Sequence, residues 1–330
     1  MKTWPLSLCC KGFIPGGIPG RLGQERGERL VIYAQVTFFL LSLGVLLVTV
    51  GYQVGHIPGV LAVVLFCLVS WLMVWSCLPG LLLKRLQAVP MDHHARAKGI
   101  VVLVEELARR SAMTQPLALY YAPSSSPNAF VARVAGRYVI CLTAGLLAML
   151  SPRELAAVLA HEVSHVRANH TGLMVLSTQM VRLLLLLTMT AQVVWWGLLP
   201  VMWATGQLHA WLMDWAILLL PTIASIVQLA LCRRCELAAD RQAVLLTGDP
   251  GGLMAALRRL DGHARSLSAE QRPNLTGGAW LCWLRSHPST RCRLEQLQHL
   301  RPDAFQHGSA PGRRLIDHLQ ALRQSAHQRP

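Results

Sequence analysis

The stretch from Leu30 to Leu83 contains no aspartate, glutamate, lysine or arginine, and no other feature of the 330-residue chain restricts its fold as strongly. A helix that crosses the hydrocarbon core of a bilayer needs about 20 consecutive apolar residues. The run is long enough for two such helices, and the glycines and proline of "GYQVGHIPG" (51–59) interrupt it. The sequence therefore predicts a transmembrane hairpin over residues 30–83, with spans near 31–51 and 58–82.

Two later apolar runs extend this interpretation. They cover about 173–201 and 208–231. Only 14% of all residues are charged and 53% are hydrophobic, whereas a soluble domain carries about 25% charged residues. We therefore expect about four transmembrane helices, with a lipid bilayer as a partner of the chain.

Basic residues at the ends of these runs predict their orientation. Clusters of Lys and Arg precede the first run and follow the second and the fourth, while the short connections 52–57 and 202–207 contain neither residue. By the positive-inside rule, both termini and the polar segments face the cytoplasm. Topology and contact with anionic lipid then account for the formal net charge of +15, and no nucleic-acid-binding module is indicated.

The segment "AAVLAHEVSHVRANH" (156–170) carries two histidines four residues apart. On an α-helix His161 and His165 lie one turn apart on one face, so both imidazoles can reach one metal ion. Glu162 is set about 100° around the helix, where it can act on a water molecule at that ion. The preceding "SPREL" (151–155) predicts the helix start, because it combines a Ser-x-x-Glu capping box with proline at the first helical position.

A third metal ligand is expected after the second apolar hairpin, in "CRRCELAADRQAV" (232–244). There Glu236 and Asp240 again lie one helical turn apart. A carboxylate is an acceptable third zinc ligand, and a second carboxylate one turn away could accept the free N–H of a ligating imidazole. If the third ligand lies elsewhere, His170 is the first alternative, because it could share the helix face of His161.

The residues between the first hairpin and the metal motif predict a small mixed frame. "HARAKGIVVLVEELARRSA" (94–112) has the period of an amphipathic helix, "LALYY" (117–121) is typical of a strand, and "FVARVAGRYVICLT" (130–143) predicts a β-hairpin. The free edge of such a sheet could hold an extended peptide over the metal, or the hairpin could simply close a core. The expected fold class is mostly α with a small β-sheet (α+β).

A last helix is predicted in "SHPSTRCRLEQLQHL" (286–300), where Pro288 takes the first position and leucines recur at helical spacing. His287 is then the capping residue. The positive end of the helix dipole disfavours an imidazolium there, so a neutral ring with one N–H donor is expected. That donor could stabilise an oxyanion, or the histidine could only order the helix.

Four elements occur along the chain in the order "PNAF" (127–130), "LTAGLLAMLSPRELAAVLAHEVSHVRANH" (142–170), "ELAAD" (236–240) and "HPSTRCRL" (287–294), with the hydrophobic hairpin between the second and the third. In this arrangement, over roughly residues 95–300, the chain resembles the HtpX-like membrane-integral zinc metallopeptidases, which are related to the CAAX prenyl proteases.

The resemblance implies a gluzincin-type zinc metallopeptidase domain with one Zn²⁺ per subunit. The residues at the family's functional positions are His161, His165 and Glu236 as metal ligands, Glu162 as catalytic base, Asp240 as support for a ligating histidine, and His287 as a catalytic residue that assists the oxyanion.

The resemblance also implies a cytoplasm-facing endopeptidase of a bacterial-type inner membrane. Its substrates would be misfolded or surplus membrane proteins, bound as extended peptides. Two alternatives stay open: a processing protease for prenylated or other C-terminal motifs, and a non-catalytic membrane scaffold with a vestigial zinc site. The intact Glu162 speaks against the scaffold, because a vestigial site has no use for the base.

These features divide the chain into six segments. They are a cytoplasmic N-terminal segment (1–29), a transmembrane hairpin (30–83), the first part of a catalytic domain (84–171), a second hydrophobic hairpin (172–232), the second part of the catalytic domain (233–302) and a basic C-terminal tail (303–330).

Overall fold

The computed structural model describes residues 80–91, 97–113, 115–134, 136–206, 215–271 and 290–299, together with scattered positions between 34 and 73. The predicted N-terminal segment and basic tail lie outside the described residues. The elements in chain order are β1 (Val89–Pro90), α1 (Ala97–Arg110), β2 (Leu117–Ala122), β3 (Ala129–Val134), β4 (Arg137–Thr143), α2 (Ala144–Met149), α3 (Pro152–Arg167), α4 (His170–Ala204), α5 (Trp215–Thr247), α6 (Pro250–Gln271) and α7 (Thr290–His299).

The chain forms two compact units. One comprises Met1–Val60 and Met180–Leu231, and the other comprises Leu61–Gln179 and Cys232–Pro330. The second unit contains the whole sheet and most of the polar helices. The prediction of a mostly helical protein with a small β-sheet is confirmed.

The sheet has the strand order β1-β2-β4-β3. Strands β3 and β4 form the predicted hairpin around Gly136, whose φ of 80° is a conformation that glycine adopts without steric cost. Strand β4 pairs in parallel with β2 and antiparallel with β3, so β3 is left at one edge of the sheet. This edge strand contacts helix α3.

One hydrophobic core joins the sheet to the helices of the second unit. Helix α3 packs on α1 and α6, and α6 packs on α7. Alternating residues of β4 and apolar faces of the helices supply the fully buried side chains. The largest of these in the core are Leu103, Leu107, Ile140, Leu142, Leu146, Leu159, Leu253 and Leu297.

Helix α3 begins as the sequence predicts. The Ser151 hydroxyl accepts from the Glu154 N–H, and the Glu154 carboxylate accepts from the Ser151 N–H at 2.8 Å, with Pro152 at the first helical position. Arg259 of α6 donates to the Met149 carbonyl and lies 3.1 Å from the Glu154 carboxylate. The start of the helix is therefore held by its own cap and by α6.

The prediction of about four transmembrane helices is not confirmed. Within the part of the chain that the structure describes, one helix segment, His170–Thr190, is long and apolar enough to cross a membrane. The predicted spans 31–51 and 58–82 fall where only scattered positions are described, and those positions are helical. The start of the predicted span 208–231 lies outside the described residues, and its remainder belongs to α5.

Helix α5 continues without a break from that apolar run to Thr247. The boundary predicted at residue 232 is therefore not a helix end, although the two compact units divide between Leu231 and Cys232. The apolar run and the acidic pair Glu236 and Asp240 share one helix.

Candidate metal centre

Helix α3 presents two buried histidines one turn apart. His161 and His165 are each only 7% exposed, and their ring centroids lie 4.6 Å apart with edge-to-face geometry. The alanines and valines that surround them in the sequence are buried as well. Two imidazoles are thus held in a water-poor setting by a well-capped helix.

Glu236 of α5 completes a set of three donor atoms. The Nε2 atoms of His161 and His165 lie 3.0 Å apart, and they lie 3.5 and 3.7 Å from the two Glu236 oxygens. A tetrahedral ion with bonds of about 2.0–2.1 Å separates its ligand atoms by about 3.4 Å. The separation of the two nitrogens and the shortest approach of each to the carboxylate lie close to that value, and one ligand atom from each residue lies within 4.8 Å of the others. The donor set therefore fits such an ion. The structure thus brings together the three residues that the sequence analysis proposed as ligands.

Asp240 lies on the outer side of this set. Its Oδ1 atom is 3.0 Å from Nδ1 of His161, on the ring edge opposite the donor nitrogen, although the approach is oblique for a hydrogen bond. Its side chain is almost fully buried. Asp240 therefore lies beside the imidazole that it is predicted to orient, and its role stays a prediction.

Arg293 of α7 is a site residue that the sequence analysis did not single out. Its guanidinium donates two hydrogen bonds to Asp240, at 2.7 and 2.5 Å, and lies 3.3 Å from Glu236. Two signals were available: the family element "HPSTRCRL" (287–294) contains Arg293, and two carboxylates that become buried together require a cation. Neither signal assigns that role to Arg293, which lies 53 residues from Asp240 along the chain.

Charges inside the site determine its protonation. Burial opposes the charged form of His161, but contacts with Asp240 and Glu236 outweigh it and raise its pKa to about 9 in the metal-free protein. Burial and the neighbouring His161 charge lower the pKa of His165 to about 3. The pKa of Asp240 is lowered because the Arg293 hydrogen bonds outweigh the effect of burial. Near neutral pH His161 is therefore charged and His165 is neutral, so a divalent cation that binds here would displace the extra proton of His161.

The other predicted residues have different placements. Glu162 lies half-buried on α3, and its charge acts on Arg293. His170 is buried, with its ring 5.4 Å from that of His165, but it is not part of the three-donor set. His287 lies outside the described residues.

Two buried imidazoles and a buried carboxylate, with a second glutamate beside them, can bind a metal ion and carry out hydrolysis. The edge strand β3 contacts the helix that supplies both imidazoles, so an extended chain paired to it would run beside the metal centre. Fold and site together define a metal-dependent peptide hydrolase.

Comparisons with known proteins agree with this class. Residues 94–301 match the model of Peptidase family M48. The Protease HtpX homolog of Sulfurovum sp. (strain NBC37-1) is 30% identical over 232 residues, which cover 66% of this chain and 81% of the relative. The Protease HtpX homolog of Campylobacter curvus (strain 525.92) is 30% identical over 277 residues, which cover 80% of this chain and 95% of the relative.

A solved structure shares the fold. The crystal structure of S. mikatae Ste24p superposes with a TM-score of 0.52 and 18% sequence identity, over 81% of this chain and 67% of Ste24p. The chain belongs to peptidase family M48, and it is a metallopeptidase.

Proposed function

We propose that this protein is a membrane-bound zinc metalloendopeptidase that acts in membrane-protein quality control. One observation carries the proposal: three buried residues, His161, His165 and Glu236, bring their ligand atoms within 4.8 Å of one another, and Asp240 lies behind His161. Two imidazoles and one carboxylate form a common catalytic zinc set, which leaves a fourth position for water or substrate. The resemblance to the HtpX-like peptidases supports the physiological part of the proposal.

Zinc bound there would supply Lewis acidity, which lowers the pKa of water to about 7 and polarises a peptide carbonyl. Glu162 would accept the proton of the attacking water and return it to the leaving amine. Asp240 would keep His161 in the orientation that presents Nε2, and Arg293 would hold Asp240 in place. His287 would donate a hydrogen bond to the substrate oxygen as negative charge develops on it.

Strand β3 is the proposed binding surface for the peptide. As an edge strand it offers backbone N–H and C=O groups along its outer side, where an extended chain can pair. Main-chain pairing depends little on side chains, which suits an enzyme that removes diverse misfolded proteins. A protease for prenylated or other C-terminal motifs is the second candidate, because the fold is shared with Ste24p. Lipidated and unmodified peptides assayed in parallel separate the two functions.

The catalytic site is proposed to face the cytoplasm at a bacterial inner membrane. The apolar segment His170–Thr190 begins five residues after His165, which supports a site close to the bilayer. Reporter fusions after Gly20, Ala95, Asp240 and Pro330 should read cytoplasmic, and a fusion after Thr205 should read outside. A cytoplasmic signal from the Thr205 fusion would contradict a crossing by the second hairpin.

Glu162→Gln tests the proposed chemistry. The amide cannot accept a proton, so peptide hydrolysis should fall by about 10²–10⁴-fold while bound zinc is unchanged. Glu105→Gln is the matched control, because Glu105 lies exposed on α1 and the same atoms change. Purified proteins are compared for zinc content and for casein or peptide cleavage. Substantial turnover by Glu162→Gln would refute the assignment of the base, and equal inactivity of the wild type would favour a scaffold.

A further inference from the structure

A sharp corner joins the metal-binding helix α3 to the apolar helix α4. Only Ala168 and Asn169 separate the two helices, and Asn169 adopts a left-handed conformation with φ of 53°. The Tyr138 hydroxyl of β4 donates to the Asn169 side chain at 3.1 Å. The Asn169 side chain also lies over the first turn of α4, because a Cβ on Gly172 would come within 2.8 Å of it. The corner is thus fastened to the β3–β4 hairpin.

Three exposed arginines lie close to this fastening in the structure or along the chain. The Arg133 guanidinium lies 5.6 Å from the centre of the Tyr138 ring, Arg137 precedes Tyr138 in the chain, and Arg167 ends helix α3 two residues before Asn169. Among the described residues, none of the three arginines forms an ion pair with a carboxylate. Positive charge is therefore concentrated at the corner and left uncompensated by the residues around it.

The corner stands where a membrane surface would be. The candidate span begins at His170, one residue after Asn169, and carries exposed apolar side chains further along, such as Leu185, Leu186 and Met189. Arginine binds phosphate through a planar fork of donors. Three exposed cations at the end of an apolar helix match a layer of lipid headgroups.

We propose that Arg133, Arg137 and Arg167 form a binding site for the phosphate of anionic phospholipids, which we call the corner cluster. The inference rests on the proposed location of the protein in a membrane. It has a consequence for the enzyme, because Arg133 belongs to edge strand β3 and the fastened residue Asn169 lies four residues after His165. Lipid bound at the corner cluster holds the peptide-binding edge at the bilayer surface, where a segment leaving the membrane first becomes accessible.

The test is a lipid titration on the full-length protein in neutral detergent. Fluorescent phosphatidylglycerol is titrated into the wild type, into each single Arg→Gln variant of the corner cluster and into the triple variant. Near a membrane surface each arginine contributes roughly a factor of five to the affinity for anionic lipid. Single variants should bind about fivefold more weakly and the triple variant about a hundredfold more weakly. Arg258→Gln is the matched control, because Arg258 is exposed on α6 and should leave the affinity unchanged.

Four results would overturn the proposal. Three of them are unchanged affinity in the triple variant, an equal loss in Arg258→Gln, and equally tight binding of fluorescent phosphatidylcholine. Inorganic phosphate at the lipid concentration should not displace the probe, since it lacks acyl chains, and complete displacement would also contradict a lipid site. The single variants change exposed side chains and so remain informative if the triple variant melts early. Zinc content and peptide hydrolysis of the wild type are measured on the same samples, so failure of the proposed enzyme is distinguished from failure of the corner cluster.

Discussion

Replacement of Arg293 by methionine should strongly destabilise the metal-free protein. Arg293 is, with the protonated His161, one of two cations that oppose two nearly fully buried carboxylates. It donates two hydrogen bonds to Asp240, at 2.7 and 2.5 Å. Removal of one partner of a buried ion pair leaves an uncompensated charge and costs about 3–5 kcal/mol. For a domain of 150–250 residues each kcal/mol lowers the melting temperature by about 2–4 °C, so a decrease of about 6–20 °C is expected.

The assay is thermal unfolding in detergent after metal removal by a chelator. Arg291→Met is the matched control, because Arg291 lies on the same helix and pairs with Glu295 while 78% of its side chain is exposed. Such an exposed pair contributes at most about 0.5 kcal/mol. Arg293→Met combined with Asp240→Asn should recover part of the loss, since the amide removes the unpaired charge. Added zinc should also reduce the loss, because the ion replaces the missing positive charge. Equal melting temperatures for Arg293→Met and Arg291→Met would refute this account of the site.

Three further outcomes are expected. Glu236→Ala should lower zinc occupancy together with activity. Asp240→Ala should weaken zinc binding by about 10–100-fold. If metal analysis finds full zinc occupancy in Glu236→Ala, the third ligand must be another residue. Asp249→Asn should destabilise the protein by about 0.5–1 kcal/mol at neutral pH, because the amide oxygen can still accept from the Gly252 N–H at the start of α6 while the charge that pairs with Arg153 is lost. The pKa of Asp249 is lowered in the folded state, so this stabilisation is present above pH 3.8 and is lost as the pH falls through the pKa of the folded protein. The melting temperatures of the variant and the wild type should therefore converge in acid. A difference in melting temperature that stays constant with pH would refute this linkage. His287→Ala should keep zinc and thermal stability while turnover falls by about 10²–10³-fold, and unchanged turnover would remove His287 from the mechanism.

The parts of the site that follow from local rules could be predicted from the sequence. His161 and His165 lie together because four residues make one helical turn, and the same spacing relates Glu236 to Asp240. The start of α3 is encoded in three adjacent residue types, and the β3–β4 hairpin is encoded in two β-rich runs around a glycine. Each of these features depends on residues within a short stretch of chain.

Features that depend on long-range packing could not be predicted in this way. Arg293 reaches Asp240 only because α7 packs on α6 and beside the acidic end of α5, and no local pattern encodes that approach. The parallel pairing of β2 with β4, which makes β3 an edge, is decided by how the hairpin docks on β2. Hydropathy alone also does not reveal that the apolar run and the acidic pair lie on one continuous helix, since it marks a boundary between them where the helix does not end.

The corner at Asn169 bears on attempts to obtain a soluble fragment of this enzyme. The compact unit that contains the metal donors runs on to Gln179, more than two turns into the apolar helix, and His170, Ser177 and Gln179 are all buried. A deletion that starts where the hydrophobic run begins would remove these turns of α4, which directly follow the residue that the Tyr138–Asn169 hydrogen bond holds. A linker that replaces residues 180–231 instead leaves the corner and the first turns of α4 intact, and rejoins the chain at Cys232, four residues before Glu236. If such a fragment also begins after the predicted first hairpin (30–83), it would keep every donor of the candidate site. The short apolar segment of α4 that remains would need detergent or polar substitutions on its outer face.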